Sequence, residues 1–192
     1  MKTLLFALDL AFLIAAFGLR TWVQWRRTGD SGWRLGRPHT RAEAAARALM
    51  LASAPLLVIG AFAAPASHSA TAALGIGVML AGLSLTLAAQ WRMGAAWRIG
   101  VDPTERTELV QAGIYGAIRN PIYSGMASFA FGQALVTPSA WAWAAVAALC
   151  LGVELQVRAV EEPYLRATHG ARFEIWAARA GRFAPYLGRL RS

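Results

Sequence analysis

The chain has one cysteine, Cys150, and one lysine, Lys2, among its 192 residues, and its 10 acidic residues are outnumbered by 19 basic ones. A lone cysteine cannot close an intrachain disulfide, which excludes an oxidised extracellular framework. Cys150 lies in an apolar run, as a small buried side chain would. Charged residues make up only 15% of the chain, against about 25% in soluble domains. There is no P-loop, GxGxxG, GxSxG, CxxC or HExxH, so the usual soluble nucleotide, hydrolase, redox and zinc signatures are missing. His39, His68 and His169 are isolated from one another and read as surface or loop residues, not as a metal site. No repeat or low-complexity tract appears. A net charge of +9 would raise nucleic acid as a partner in a soluble chain. Here the positive charge is almost all arginine and falls between apolar segments, which excludes that reading in favour of a membrane surface.

Hydrophobic residues reach 57%, above the roughly 45–50% of soluble domains. A membrane-crossing helix needs about 20 mostly apolar residues. Five stretches approach this: Thr3 to Leu19, Ala48 to Ala64, Thr71 to Gln90, Ile122 to Thr137 and Ala140 to Val157. Pro55 in the second is tolerable as a kink. The fourth is short and carries Gly125 and Gly132, so a tilted, broken or partly inserted helix is an alternative there. Lys2 ahead of an apolar run resembles a signal peptide, but no clear small-residue cleavage site follows, and a retained helix is expected. The predicted fold is all-α: one membrane-embedded domain over residues 1–192, a polytopic bundle of about five transmembrane helices. Residues 1–90 supply N-terminal helices and 91–192 a C-terminal half.

Every arginine falls in one of three segments. Arg20, Arg26, Arg27, Arg34, Arg37, Arg41 and Arg47 lie between the first two apolar stretches. Arg92, Arg98, Arg106 and Arg119 lie between the third and fourth, and Arg158, Arg166, Arg172, Arg179, Arg182, Arg189 and Arg191 follow the fifth. The connections at 65–70 and 138–139 carry no charge. Basic loops stay on the cytoplasmic side, so five crossings place the N-terminus outside and the C-terminus in the cytoplasm, in the cell's inner (plasma) membrane. Trp22, Trp25, Trp91 and Trp97 sit near the inner helix ends, where interfacial aromatics anchor.

Two polar constellations fall on that side. In the first, Gly113 and Pro121 punctuate the segment from Trp97 to Gly125, and Pro121 pushes Asn120 away from helical geometry. Irregular backbone there exposes N–H and C=O groups to a polar ligand. Equally, Arg119, Asn120 and Tyr123 would serve as a charged and aromatic helix entry. In the second, Glu154, Arg158, Glu161 and Glu162 recur every three or four residues on one helix face, where Arg158 can pair with a glutamate. Acids bordering a membrane point to function, with a structural ion pair as the rival. Pro163 breaks or restarts the helix after them. Asp9, alone in the first apolar stretch, reads as a buried hydrogen-bonding group.

Taken in order, these regions resemble the isoprenylcysteine carboxyl methyltransferase and phospholipid methyltransferase superfamily of integral membrane enzymes. The matching residues are Leu109-Val110 with Gly113 and Tyr115, Arg119-Asn120-Pro121-Ile122-Tyr123 with Gly125, Glu161-Glu162 with Leu165 and Gly170, and Arg182-Phe183-Ala184-Pro185. The resemblance covers about residues 97–187. It implies S-adenosylmethionine as cofactor in a cytoplasm-facing C-terminal pocket. Glu108, Leu109, Val110, Tyr115, Asn120, Pro121 and Tyr123 would line that pocket and Glu161 and Glu162 would complete it. It also implies methyl transfer to a lipidic or prenylated acceptor drawn from the surrounding membrane lipids. In that reaction Arg158 would hold an acceptor carboxylate, or Glu154 or a glutamate of the pair would serve as base for an amine or thiol. The prenylcysteine enzymes favour His where Asn120 stands and carry an arginine at the register of Val157; His169 stands where an aromatic is usual. The alternatives are a sterol-type membrane reductase using NADPH and a non-catalytic membrane scaffold. Reporter fusions in the 65–70 connection and at the C-terminus should give opposite topology signals; matching signals would remove one crossing, the 122–137 segment first.

Overall fold

The structure is a computed structural model describing residues 1–34, 36, 38, 40–102 and 104–190; Arg37, His39 and Arg191, named above, lie outside the described residues. It is helical, with isolated backbone bridges and no strand among the described residues. Six helices carry the architecture. They are α1 (Lys2–Thr28), α2 (Arg41–Ala63), α3 (Ser69–Met93), α4 (Pro121–Val136), α5 (Ala140–His169) and α6 (Ala171–Arg179).

The helices run past the apolar stretches at their arginine ends because local chemistry extends them. In α1, Trp22 and Trp25 stand exposed on the extension, and Gly29 closes it with φ +73° and an N–H donated to the Trp25 carbonyl. Thr40 caps α2 by accepting from the Glu43 N–H at 3.1 Å, with Glu43 three residues on as in a capping box. α5 continues through Pro163. A π-helical stretch at Val157–Glu161 precedes that proline, which then sits in the first turn of the resumed α-helix, where no N–H is needed.

Two antiparallel helix pairs form the bundle, the α3–α4 hairpin and the pair α2 and α5, which are distant in sequence. In one, Gly75 of α3 meets Gly132 of α4 and Gly82 meets Gly125. A Cβ on Gly82 would lie 2.6 Å from the Gly125 carbonyl oxygen, so the helices touch backbone to backbone, as small residues permit in membranes. In the other, α2 and α5 approach at Gly60 against Ala142 and Gly152 against Ala46 and Met50. α1 lies across the first hairpin through Leu5, Phe12 and Ala16, with Phe12 and Phe129 rings 4.5 Å apart.

α1, α2, α3 and α5 are long and apolar enough to cross a membrane. α4 has 16 residues, about 24 Å at 1.5 Å per residue, which is short for a bilayer core of roughly 30 Å. Even so, it runs the whole hairpin. Val136 at its end accepts from the Ser67 N–H at 2.7 Å in the α2–α3 connection, while its first residue lies among the arginines. Eight of its 16 residues are buried, which makes it the interior helix of the bundle. The uncharged connections gather at one end together with Lys2, whose ammonium donates to the Phe62 carbonyl. Asp9, on that half of α1, accepts from Gln133 Nε2 at 3.2 Å, the hydrogen-bonding role expected of it.

The α3–α4 contact generates a paired test. In Gly125→Ala the new Cβ would meet the Gly82 carbonyl and the Thr86 N–H within 3 Å, which should cost about 1–3 kcal/mol of overpacking. Gly77, with nothing within 4 Å, should accept alanine without loss. Thermal unfolding in detergent should separate the two, and equal melting temperatures would disprove the close approach.

Candidate active site

At the arginine end, residues 107–120 cross from α3 toward α4. Gly113, at φ +64°, opens a single 3₁₀ turn, Gly113–Gly116, which tucks Tyr115 inward. Leu109 and Tyr115 pack with Ala89, Phe173, Trp176 and Ala177, and Trp176 Nε1 donates to the Tyr115 carbonyl at 2.7 Å. The Tyr115 hydroxyl is 3.3 Å from the Ala89 carbonyl. Burial pushes it above the ordinary phenol range and the nearby Glu161 charge adds to the effect, while Arg20 opposes both.

Asn120 is irregular, as expected, at φ −124° and ψ 57°. The exposed N–H groups expected there are nevertheless taken. Arg119 N–H donates to the Gly181 carbonyl at 2.8 Å, and both the N–H and the side-chain Nδ2 of Asn120 donate to the Arg182 carbonyl, at 3.1 and 3.0 Å. Ser124 adds a bond to the Phe183 carbonyl at 2.6 Å. The C-terminal segment therefore occupies the backbone groups assigned above to a ligand. Gly181 permits this docking, since a Cβ there would lie 2.8 Å from the Leu187 carbonyl.

Glu161 and Glu162 are adjacent in sequence but part company in space, since successive side chains on a helix point about 100° apart; the π-helical stretch of α5 ends at Glu161. Glu162 turns inward. Arg119 Nη2 and Arg182 Nε both donate to its Oε1 at 2.8 Å, and Arg182 Nη2 donates to Oε2 at 3.0 Å. Arg119 is spent further on the carbonyls of Ala177, Ala180 and Gly188. Pairing with Glu162 raises the Arg182 guanidinium above its usual value. Glu162, expected to complete a ligand pocket, is thus filled by two arginines.

Glu161 faces α4. It accepts from the Tyr123 hydroxyl at 2.5 Å and from Gln156 Nε2 at 3.4 Å, and no arginine, lysine or histidine pairs with it among the described residues. Gln156 is 5% exposed, and its Oε1 has no hydrogen-bond partner among the described residues. Arg158 pairs with Glu154 one turn back, at the surface, and Glu154 also lies 3.8 Å from Arg182. The shared face expected of the four residues holds for Glu154, Arg158 and Glu162, which join one network, but not for Glu161. Among the other expected residues, Pro121 is buried at the start of α4, Val110 packs beside Leu109, and the Glu108 side chain is exposed.

Sequence reasoning assigned no site role to Gln156 or Arg182. Gln156 lies five residues before Glu161, a spacing that meets in a π-helix and not in an α-helix. Arg182 was visible only as the start of Arg182-Phe183-Ala184-Pro185, with nothing to pair it with Glu162.

The fold defines a polytopic integral membrane protein with a buried cluster of charged residues at the arginine end of its helices. A phospholipid methyltransferase family model matches residues 70–172, and the chain belongs to that family. In structure it resembles a eukaryotic intramembrane Ras methyltransferase, isoprenylcysteine carboxyl methyltransferase, with a TM-score of 0.66 and 16% sequence identity. The likeness covers 95% of this chain and 66% of that one, just under two thirds of its length. No curated protein matches in sequence.

The Glu162 cluster predicts an asymmetry within the acidic pair. Glu162→Gln leaves Arg119 and Arg182, whose side chains are 1% and 11% exposed, short of their counter-charge. Breaking such a pair costs about 3–5 kcal/mol, so unfolding in detergent should shift strongly, whereas Glu161→Gln should leave stability nearly intact. Equal shifts would mean that the two carboxylates do the same work.

Proposed function

We propose that the protein transfers a methyl group from S-adenosylmethionine to a hydrophobic or lipid-linked acceptor at the cytoplasmic membrane face. The observation that carries this reading is Glu161, a carboxylate at the end of a membrane helix with a tyrosine and a glutamine as its recorded partners and no cation paired to it among the described residues. A charge so placed is costly unless a ligand completes it. The cofactor would supply an electrophilic methyl on a positively charged sulfur. Glu161 would offset a positive group, and the unpartnered Gln156 Oε1 would accept a hydrogen bond from a ligand amino group or hydroxyl. Glu108, Leu109, Val110, Tyr115, Asn120, Pro121 and Tyr123 would form the wall. Glu162 would act through Arg119 and Arg182, as a positioning residue.

Family membership and the fold likeness support a lipidic acceptor. The arginines gathered at one end support a cytoplasmic site in the inner membrane. Direct displacement on a methyl group asks the protein to align the nucleophile and exclude water. Arg158, exposed where α5 leaves the apolar zone, would hold an acceptor carboxylate or phosphate, exchanging its bond to Glu154 for it; for an amine or thiol acceptor, Glu154 would take the proton.

Calorimetry on detergent-purified protein should show binding of S-adenosylhomocysteine and not of NADPH. Glu161→Gln should weaken that binding by about tenfold or more, the loss of a charge-assisted contact of roughly 1.5–3 kcal/mol. Arg158→Lys, which keeps the charge but loses the planar fork, should raise acceptor KM or lower kcat and leave S-adenosylhomocysteine affinity unchanged. NADPH binding, or unchanged affinity in a folded Glu161→Gln, would overturn the reading.

A further inference from the structure

Ala16, Arg20 and Gln24 recur every fourth position of α1, which sets them on one face of that helix. The face meets the arginine end of α3. Gln90 Nε2 donates to the Ala16 carbonyl at 2.8 Å, Arg20 Nη2 donates to the Gly94 carbonyl, and Gln24 Nε2 donates to the Ala95 carbonyl at 3.0 Å. These bonds dock α1 on the end of α3, yet they leave polar atoms over. Arg20 Nε, Gln24 Oε1 and Gln90 Oε1 are buried with no hydrogen-bond partner among the described residues.

Arg20 is the most demanding of the three. It is 8% exposed, and no carboxylate pairs with it among the described residues. The Trp97 ring lies 4.7 Å from its guanidinium, and the carbonyls at the end of α3 favour a cation, but neither carries a full negative charge. Asp30 and Glu105, acids of the adjacent loops, are taken by Arg34 and Arg98. Arg27 and Arg98 stand within electrostatic reach of Arg20 and add to the positive charge around it. A buried guanidinium so placed is costly unless an anion completes it.

Arg20 is thus the counterpart of Glu161, a carboxylate with no cation paired to it among the described residues. The two meet at Tyr115. Its hydroxyl lies 3.3 Å from the carbonyl of Ala89, the residue before Gln90, and it is within electrostatic reach of both Arg20 and Glu161. We infer that Arg20 receives the carboxylate of the same ligand whose positive group Glu161 offsets, so that the site selects an amino-acid zwitterion. The assignment rests on the proposed function, in which that ligand is S-adenosylmethionine. The unpartnered oxygens of Gln24 and Gln90 add acceptors at the same helix contact, as a group with both N–H donors and a carboxylate requires. α1 lies outside the residues 70–172 that the family model matches, so the N-terminal helix would supply part of the ligand's recognition.

The test is calorimetry on the full chain in detergent with two ligands, S-adenosylhomocysteine and S-adenosyl-3-thiopropylamine. The second keeps the nucleoside, the sulfur and the amine but lacks the carboxylate. The wild-type protein should bind S-adenosylhomocysteine about tenfold or more tightly than the amine, the scale of one charge-assisted contact. Arg20→Gln should erase that preference by weakening S-adenosylhomocysteine alone. Arg20→Lys, which keeps the charge but not the planar fork, should reduce the preference about threefold. Glu161→Gln should weaken both ligands by the same factor, since both carry the amine. Equal affinity of the wild-type protein for the two ligands would overturn the assignment without any variant. A preference left intact in either folded Arg20 variant would overturn it too, as would a loss shared equally by both ligands in Arg20→Gln, the mark of a purely structural arginine. Binding of neither ligand by the wild-type protein would overturn the proposed function and this assignment with it.

Discussion

The carboxylate of Glu162, clasped by Arg119 and Arg182, is the interaction on which the arginine end of the molecule depends. Two guanidinium groups and a carboxylate leave water here, and such a cluster is tolerable only when nearly every donor is used. Arg119 meets that demand by reaching the carbonyls of Ala177, Ala180 and Gly188. The same bonds hold the end of α6 and the terminal segment against the start of α4. Arg182 contributes its carbonyl as well, which takes both donors of Asn120. The electrostatic need of one buried carboxylate thereby fixes the backbone of the helix entry, and through it the position of Tyr123 one turn later.

The membrane part is built on a different constraint, the absence of side chains where α3 and α4 touch. Gly75, Gly82, Gly125 and Gly132 bring two backbones together. In a lipid solvent, where apolar burial drives little association, such close packing supplies the attraction. It also lets a short helix lie at the centre of the bundle, with α1, α3 and α5 around it. The second π-helical stretch, Ile14–Leu19 in α1, contributes to this packing from the other side: the Ala16 carbonyl, within it, accepts from the buried Gln90 of α3 at 2.8 Å.

Much of this was legible in the sequence. Five apolar stretches became five bundle helices, and the confinement of arginine to three segments matched the grouping of helix ends, because both are consequences of the bilayer as solvent. The irregular entry at Asn120 followed from Pro121. What the sequence left hidden were consequences of register and of distant backbone. Counting at 3.6 residues per turn spreads Glu154, Arg158, Glu161 and Glu162 over about 100° of one side, and nothing local shows that Glu161 turns to Tyr123 and Gln156 while Glu162 turns to the arginines. The N–H groups near Pro121 looked available because nothing local showed that Gly181 and Arg182, some sixty residues on, would occupy them. The length of α4 misled for a related reason: a helix covered by neighbours need not match the bilayer by itself.

Two adjacent carboxylates in opposite surroundings point to a division of labour. Pairs of titratable groups whose environments diverge are where an active site separates its roles. Glu162 has its positive partners within the chain and holds structure. Glu161 has hydrogen-bond donors but no positive partner in direct contact among the described residues, and it stands beside an amide oxygen without a hydrogen-bond partner among them. Arg158 offers no remedy, since Glu154 already holds it. The local charge is close to balanced by count, with Arg119, Arg158 and Arg182 against Glu154, Glu161 and Glu162, yet the pairing leaves one carboxylate over. Under the proposed function, a ligand with a positive centre would complete that pairing without disturbing Glu162, so the site could fill and empty while the cluster that holds the helices together stays closed.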